Sequence, residues 1–330
     1  MSYVFKNVYL NSVSTVVGPY EKNGPLGKMF DKSYKDLYCE DKTWEKAESK
    51  ILKESMDLVL KKENLKQEDV DLIISGDLLN QIASSTYASS SYKIPFMGVY
   101  TACASNVESL IIASSLVSAK FINRCICSVS SHNMTSEKQF RNPTEYGAPK
   151  PLTSTFTATG GASAIVSNKK SDIKIESATV GEIVDLSQNN PLDMGSVMAC
   201  AAADTINRHL KEMNRDASYY DLIITGDLGL YGKEILKDYL KEKYKIDIRN
   251  NYNDSGIMLY DLKKQKPVHA GASGPVCSAL VLYTTVLKQM KEKKIKHVLM
   301  VATGALFNPI SVFQKENILS IAHAISLEAI

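Results

Sequence analysis

The chain lacks an apolar run long enough to cross a bilayer. Nowhere in its 330 residues does one approach the roughly 18 residues such a span requires. It also lacks a strong charge of either sign. A net +3 is too mild for a protein whose work is gripping nucleic acid, so no nucleic-acid partner is expected. Cysteine is sparse and scattered, at positions 39, 103, 125, 127, 200 and 277, with no C-x-x-C pair. Histidine numbers only five and is nowhere clustered, so no zinc site is expected. The opening residues Met1-Ser-Tyr-Val-Phe-Lys lack the basic-then-apolar order of a secretory signal. A cytosolic-type chain with reduced cysteines is the expectation, with peripheral contact to a membrane left open.

What is present is an ordinary globular composition, 44% hydrophobic and 23% charged, on a chain long enough for two domains or one duplicated domain. The most informative stretch runs from Pro95 to Ser118. Phe96 to Tyr100 is short, apolar and aromatic, as a buried strand would be. From Ala104 onward, small and apolar residues take helical spacing with one charge, Glu108, which places that helix centrally. Cys103 stands at the join. The first turn of a helix leaves N–H groups unpaired and favours negative charge, so a thiol there is biased toward thiolate. Cys103 therefore reads in two ways, as a nucleophile or anion site, or as a small buried hydrophobe.

Organisation comes from an internal repeat. Asp71-Leu-Ile-Ile-Ser-Gly-Asp77 returns as Asp221-Leu-Ile-Ile-Thr-Gly-Asp227. A helix precedes each copy, the first over Trp44–Lys61 with Thr43 as its cap. A small-residue turn, an apolar helix, a basic linker and a strand follow each copy. The matching order predicts an α/β fold of two duplicated βαβ-type halves, residues 1–170 and 171–330, related by a pseudo-two-fold axis. Largely parallel sheets covered by helices are expected, with ligand sites at the carboxyl ends of the strands. That rule gathers Asp77, Cys103, His132, Asp227, His269 and Asn308 as candidates. Each also has a bland reading: Asp77 as a cap or turn former, His132 and His269 as loop residues, Asn308 as the start of a turn. Asp227 reads equally as the repeat's copy of Asp77.

Thr101-Ala-Cys-Ala-Ser, Thr159-Gly-Gly-Ala-Ser-Ala-Ile-Val-Ser and Gly271-Ala-Ser-Gly274 resemble the nucleophile turn, closing strand and second-half turn of thiolases and ketoacyl synthases. Further segments resemble one branch, the stage V sporulation protein AD family. They are Gly24-Pro-Leu-Gly27, Asp41-Lys-Thr-Trp-Glu-Lys-Ala-Glu48, Gly76-Asp-Leu-Leu-Asn-Gln81, Ser130-Ser-His-Asn133, Glu137-Lys-Gln-Phe-Arg141, Pro143-Thr-Glu-Tyr-Gly147, Met194-Gly195 with Ala201-Ala-Ala-Asp-Thr205, and Ile321-Ala-His-Ala324. They run the length of the chain.

The resemblance implies a thiolase-like fold in α/β/α/β/α layers and a homodimer. It also implies binding of dipicolinic acid (pyridine-2,6-dicarboxylate), alone or with Ca²⁺, and help in moving it into the developing spore. Membrane proteins of the same transport system would be partners, at the cytoplasmic face of the forespore inner membrane. The implied ligand set is Asp77, Cys103, His132, Arg141, His269 and Asn308, with Cys103 as a vestigial nucleophile.

Departures from the thiolase pattern favour a binder over an enzyme. Val268 falls where the pattern has a histidine, with His269 one place off, and the strand ending Val301-Ala-Thr-Gly-Ala-Leu-Phe-Asn308 lacks the second cysteine. Claisen chemistry needs a base and donors for an enolate oxygen, and most of that apparatus is missing. No resident cofactor is expected. The alternative is an acyltransferase or condensing enzyme acting on coenzyme A thioesters through Cys103.

Overall fold

The computed structural model describes residues 1–140 and 150–330. Ten strands carry the architecture. In the first half they are β1 (Tyr9–Val17), β2 (Leu72–Gly76), β3 (Phe96–Gly98), β4 (Arg124–Ser131) and β5 (Gly160–Ser167). The second half supplies β6 (Ile173–Thr179), β7 (Leu222–Thr225), β8 (Tyr252–Asp254), β9 (His297–Leu306) and β10 (Leu319–Ala329). Their spatial order is β3-β2-β4-β5-β1, then β6-β10-β9-β7-β8. Adding five to each label of the first half produces the second, so the two halves share one topology. A single bridge, Tyr9 opposite Lys174, links β1 to β6.

The repeated heptapeptide folds the same way twice. One Asp71 carboxylate oxygen accepts from the backbone N–H of Asn123 and Arg124 at 2.8 and 2.9 Å. One Asp221 oxygen accepts from Lys296 and His297 at 2.7 and 2.9 Å. Each aspartate thereby pins the start of β2 or β7 to the start of its parallel neighbour.

Sheets of largely parallel strands were expected, and the structure corrects this. β2 is parallel to β3 and β4, and β7 to β8 and β9. The closing strands β5 and β10 run antiparallel to both of their neighbours. An antiparallel neighbour needs no crossover helix. The link from β9 to β10 accordingly holds only the five-residue helix Pro309–Phe313.

Of the helices among the described residues, five matter most for the site. α1 (Trp44–Lys62) begins where expected, with Thr43 Oγ1 accepting from Lys46 N at 3.3 Å. α1 covers the outer face of β1, β4 and β5, and α4 (Met194–Glu212) covers β6, β9 and β10. Between the two half-sheets lie α2 (Ser105–Ser118) and α5 (Pro275–Val281). α2 touches β2, β4 and β5 of its own half, β9 and β10 of the other, and α5. Contact on every side explains its near absence of charge. Its one acid, Glu108, accepts from Thr101 Oγ1 at 2.7 Å. The remaining labelled helix, α3 (Asn133–Phe140), follows β4 directly.

Among the described residues, no helix is long and apolar enough to cross a membrane.

Candidate functional site

The turn before α2 is tight. Ala102 adopts φ of 50°, and Ala104 N and Ser105 N bond back to the carbonyls of Thr101 and Ala102 at 3.0 and 3.2 Å. The turn presses against the opposite half at Gly304 on β9, where a Cβ would stand 2.2 Å from Thr101 O. Only glycine permits that approach. The matching turn of the second half, Ala272–Ser273, pairs in parallel with Phe156–Thr157. It ends at Gly274, whose φ of 101° and 2.6 Å clearance from Ser131 Oγ exclude a side chain.

These turns floor a cavity of about 660 Å³ walled by residues of both halves. Cys103 sits on this wall and is 7% exposed. Its surroundings do not favour a thiolate. The expected effect of the helix start is overridden by burial and then by the negative field of Asp227, which together push the thiol well above its ordinary range. The weaker opposing influence is the Gly274 N–H. The bias toward thiolate that a helix start provides is thus outweighed.

Asp227, at the end of β7, is itself buried. Its oxygens accept from Thr303 Oγ1 at 2.6 Å and Gly274 N at 3.1 Å. Burial pushes its carboxyl up to about 7, against the pull of these bonds. Asp254 lies behind it with both oxygens filled by Thr225, Leu228, Gly229 and Gly256. Asp254 therefore holds loops together.

The other candidates divide. His269 is on the cavity wall, half-buried, at φ 46°. Asp77 is not on the wall. Its oxygens accept from Leu79 N and Ser85 N at 2.8 and 2.7 Å, an order typical of a turn-forming aspartate, and its neighbour Leu78 reaches the cavity instead.

His132 is fully buried beneath α3. One ring nitrogen meets Leu37 O at 2.7 Å and the other accepts from Met134 N at 3.2 Å. Burial lowers its pKa to about 4, so it is neutral at physiological pH. Asn308 caps the helix Pro309–Phe313 by accepting from Ser311 N at 3.0 Å, and its neighbours Phe307 and Pro309 line the cavity in its place. Arg141 lies outside the described residues.

Several wall residues went unnoticed in the sequence. Lys150 pairs with Glu137 at 2.8 Å on the rim. Phe140 of α3 and Phe307 beyond β9 bring their rings within 5.4 Å across the two halves. Asn133, Ser136 and Ser273 add polar atoms to a wall otherwise rich in apolar side chains. Asn133 closes the segment Ser130-Ser-His-Asn133 and Glu137 opens another quoted segment, so the family pattern held a partial signal. Among the described residues no group of His, Cys, Asp and Glu is arranged to hold a metal ion.

Comparison with known proteins follows from this geometry. Residues 2–328 match the family model of stage V sporulation protein AD. The chain is 45% identical over 328 residues to stage V sporulation protein AD of Bacillus subtilis (strain 168), covering 99% of this chain and 96% of that protein. In fold it resembles 3-oxoacyl-[acyl-carrier-protein] synthase III of Aquifex aeolicus VF5, at 13% identity and a TM-score of 0.59, covering 97% of this chain and 99% of that one. It also resembles Xanthomonas campestris OleA, at 12% identity and a TM-score of 0.62, covering 98% and 99%. These two likenesses establish a thiolase-like fold.

Proposed function

The chain belongs to the stage V sporulation protein AD family, and on that premise we propose that its cavity binds dipicolinic acid for uptake into the developing spore. The binding is non-catalytic. What carries the reading is the pairing of Cys103 with Asp227. Nucleophilic attack runs through a thiolate, and here burial and then the negative field of Asp227 both push the thiol pKa up. The aromatic side chains Phe140, Phe156 and Phe307 on the wall suit a flat ring.

Calcium, when it accompanies the ligand, is cargo chelated by it. Passage across the membrane falls to separate membrane proteins of the same system. The basic stretch Lys291-Glu-Lys-Lys-Ile-Lys296 offers contact with anionic lipid. A second copy of the chain completes the assembly through β3. This edge strand leaves Phe96 and Met97 exposed at 37% and 45%.

The test is a thermal shift with dipicolinate beside one with acetyl-coenzyme A. The reading expects stabilisation by dipicolinate and none by the thioester. The acyltransferase alternative has one observation in its favour, Cys103 and His269 sharing a cavity in a condensing-enzyme fold. A stable acyl adduct on Cys103 after incubation with acetyl- or malonyl-coenzyme A, seen by intact mass, would establish it instead.

A further inference from the structure

Three residues on the wall of the same cavity each carry a buried polar atom, set just beneath the surface, with no hydrogen-bond partner among the described residues: Asn133 Nδ2, Ser136 Oγ and Ser273 Oγ. Their residues are 5%, 5% and 2% exposed. A buried donor left unpaired destabilises a fold, so native chains rarely keep one without a use for it. Three on one wall form a set.

They come from both halves. Asn133 and Ser136 lie one turn apart on α3, three residues being the spacing that puts two side chains on one face. Ser273 lies in the short strand Ala272–Ser273, beside Phe156–Thr157. It also mirrors the cysteine. Cys103 and Ser273 each stand two residues before the first residue of their central helix, Ser105 and Pro275. The duplication thus sets a thiol and a hydroxyl on one cavity.

We propose that Asn133, Ser136 and Ser273 form an uncharged donor cradle for an sp² oxygen of the ligand, a carboxylate or acyl oxygen, and determine which ligand the cavity accepts. The inference rests on the cavity being a ligand site, as proposed above. An amide N–H and two hydroxyls suit such an oxygen, since all three donate and none carries a charge that would repel it. Discrimination follows because a ligand lacking that oxygen would leave all three unpaired. Wall donors of this kind are specificity residues.

The test compares wild type with Asn133→Leu, Ser136→Ala and Ser273→Ala in two measurements: calorimetric affinity for dipicolinate and then acetyl-coenzyme A, and melting temperature without ligand. Each variant is expected to bind dipicolinate about tenfold more weakly, one charge-assisted hydrogen bond's worth. Each is also expected to melt no lower than wild type, since an unpaired polar atom has been removed. A purely structural role would lower the melting temperature. Variants that bind as tightly as wild type overturn the cradle while leaving dipicolinate binding standing. If wild type binds only the thioester and the variants lose that affinity, the cradle stands and the dipicolinate reading falls. Wild type binding neither probe overturns both.

Discussion

Cys103 of the first half lies in the negative field of Asp227 of the second, the carboxylate that ends the repeated heptapeptide. Burial first, and then the residue that best records the duplication, hold the residue best placed for nucleophilic chemistry neutral. Asp77, the copy of Asp227 in the first half, instead spends both oxygens on its own loop.

This pairing predicts the behaviour of the sulfur. Cys103 should be alkylated slowly by iodoacetamide at pH 7, because little of it is thiolate. Asp227→Asn removes the negative field and should speed labelling several-fold. Peptide mass mapping of Cys103 over time checks this, and equal rates would remove Asp227 as the cause.

Buried acids predict a pH dependence. Glu21 accepts from Thr159 N at 2.9 Å and from the Tyr260 hydroxyl, and burial raises its pKa from 4.5 to about 7. Its protonated form fits the fold. The stability it contributes is present in full below pH 4.5 and is lost as pH rises through about 7, a change of roughly 3 kcal/mol. Glu21→Gln should therefore flatten the decline in melting temperature between pH 5 and 8. His132, His209 and His323, each lowered to about 4 by burial, act in the opposite sense, losing their contribution as pH falls from 6.5 through 4. The variant comparison separates the two.

Gly304 predicts a steric penalty. Gly304→Ala would drive its methyl into Thr101 O at 2.2 Å, which cannot yield without moving the Cys103 turn. A loss of about 2 kcal/mol is expected. Denaturant unfolding reads the loss, and weaker ligand binding should accompany it.

The exposed edge predicts association. Met97→Glu places a charge on β3 and should convert dimers to monomers in size exclusion with light scattering. An unchanged mass would move the interface elsewhere.

The repeat was readable because its chemistry is local. Asp71 and Asp221 each bond the chain beside their own strand, and the apolar residues between them are buried whatever lies further away. Thr43 was readable for the same reason, since a cap acts within one turn. The direction of β5 and β10 was not, because antiparallel and parallel neighbours bury similar side chains. His132 misled because its position after β4 resembles a site, while what neutralises it is burial in the assembled fold, with its ring held by the carbonyl of Leu37, far away in the chain. Ser273 and Ser136 were invisible for a different reason. Their lack of partners is a property of the assembled cavity, and no neighbouring residue announces it.

The contacts of α2 with β9 and β10 carry a consequence for biosynthesis. As the polypeptide leaves the ribosome, this nearly uncharged helix is made well before the cover for its far side, the strands β9 and β10 that begin at His297 and Leu319. For most of translation it waits with a greasy flank open to water and to chaperones. A premature stop just ahead of Leu319 would spare Cys103 and every cavity residue, yet strip β10 from that flank, and the shortened product should go to aggregation or proteolysis.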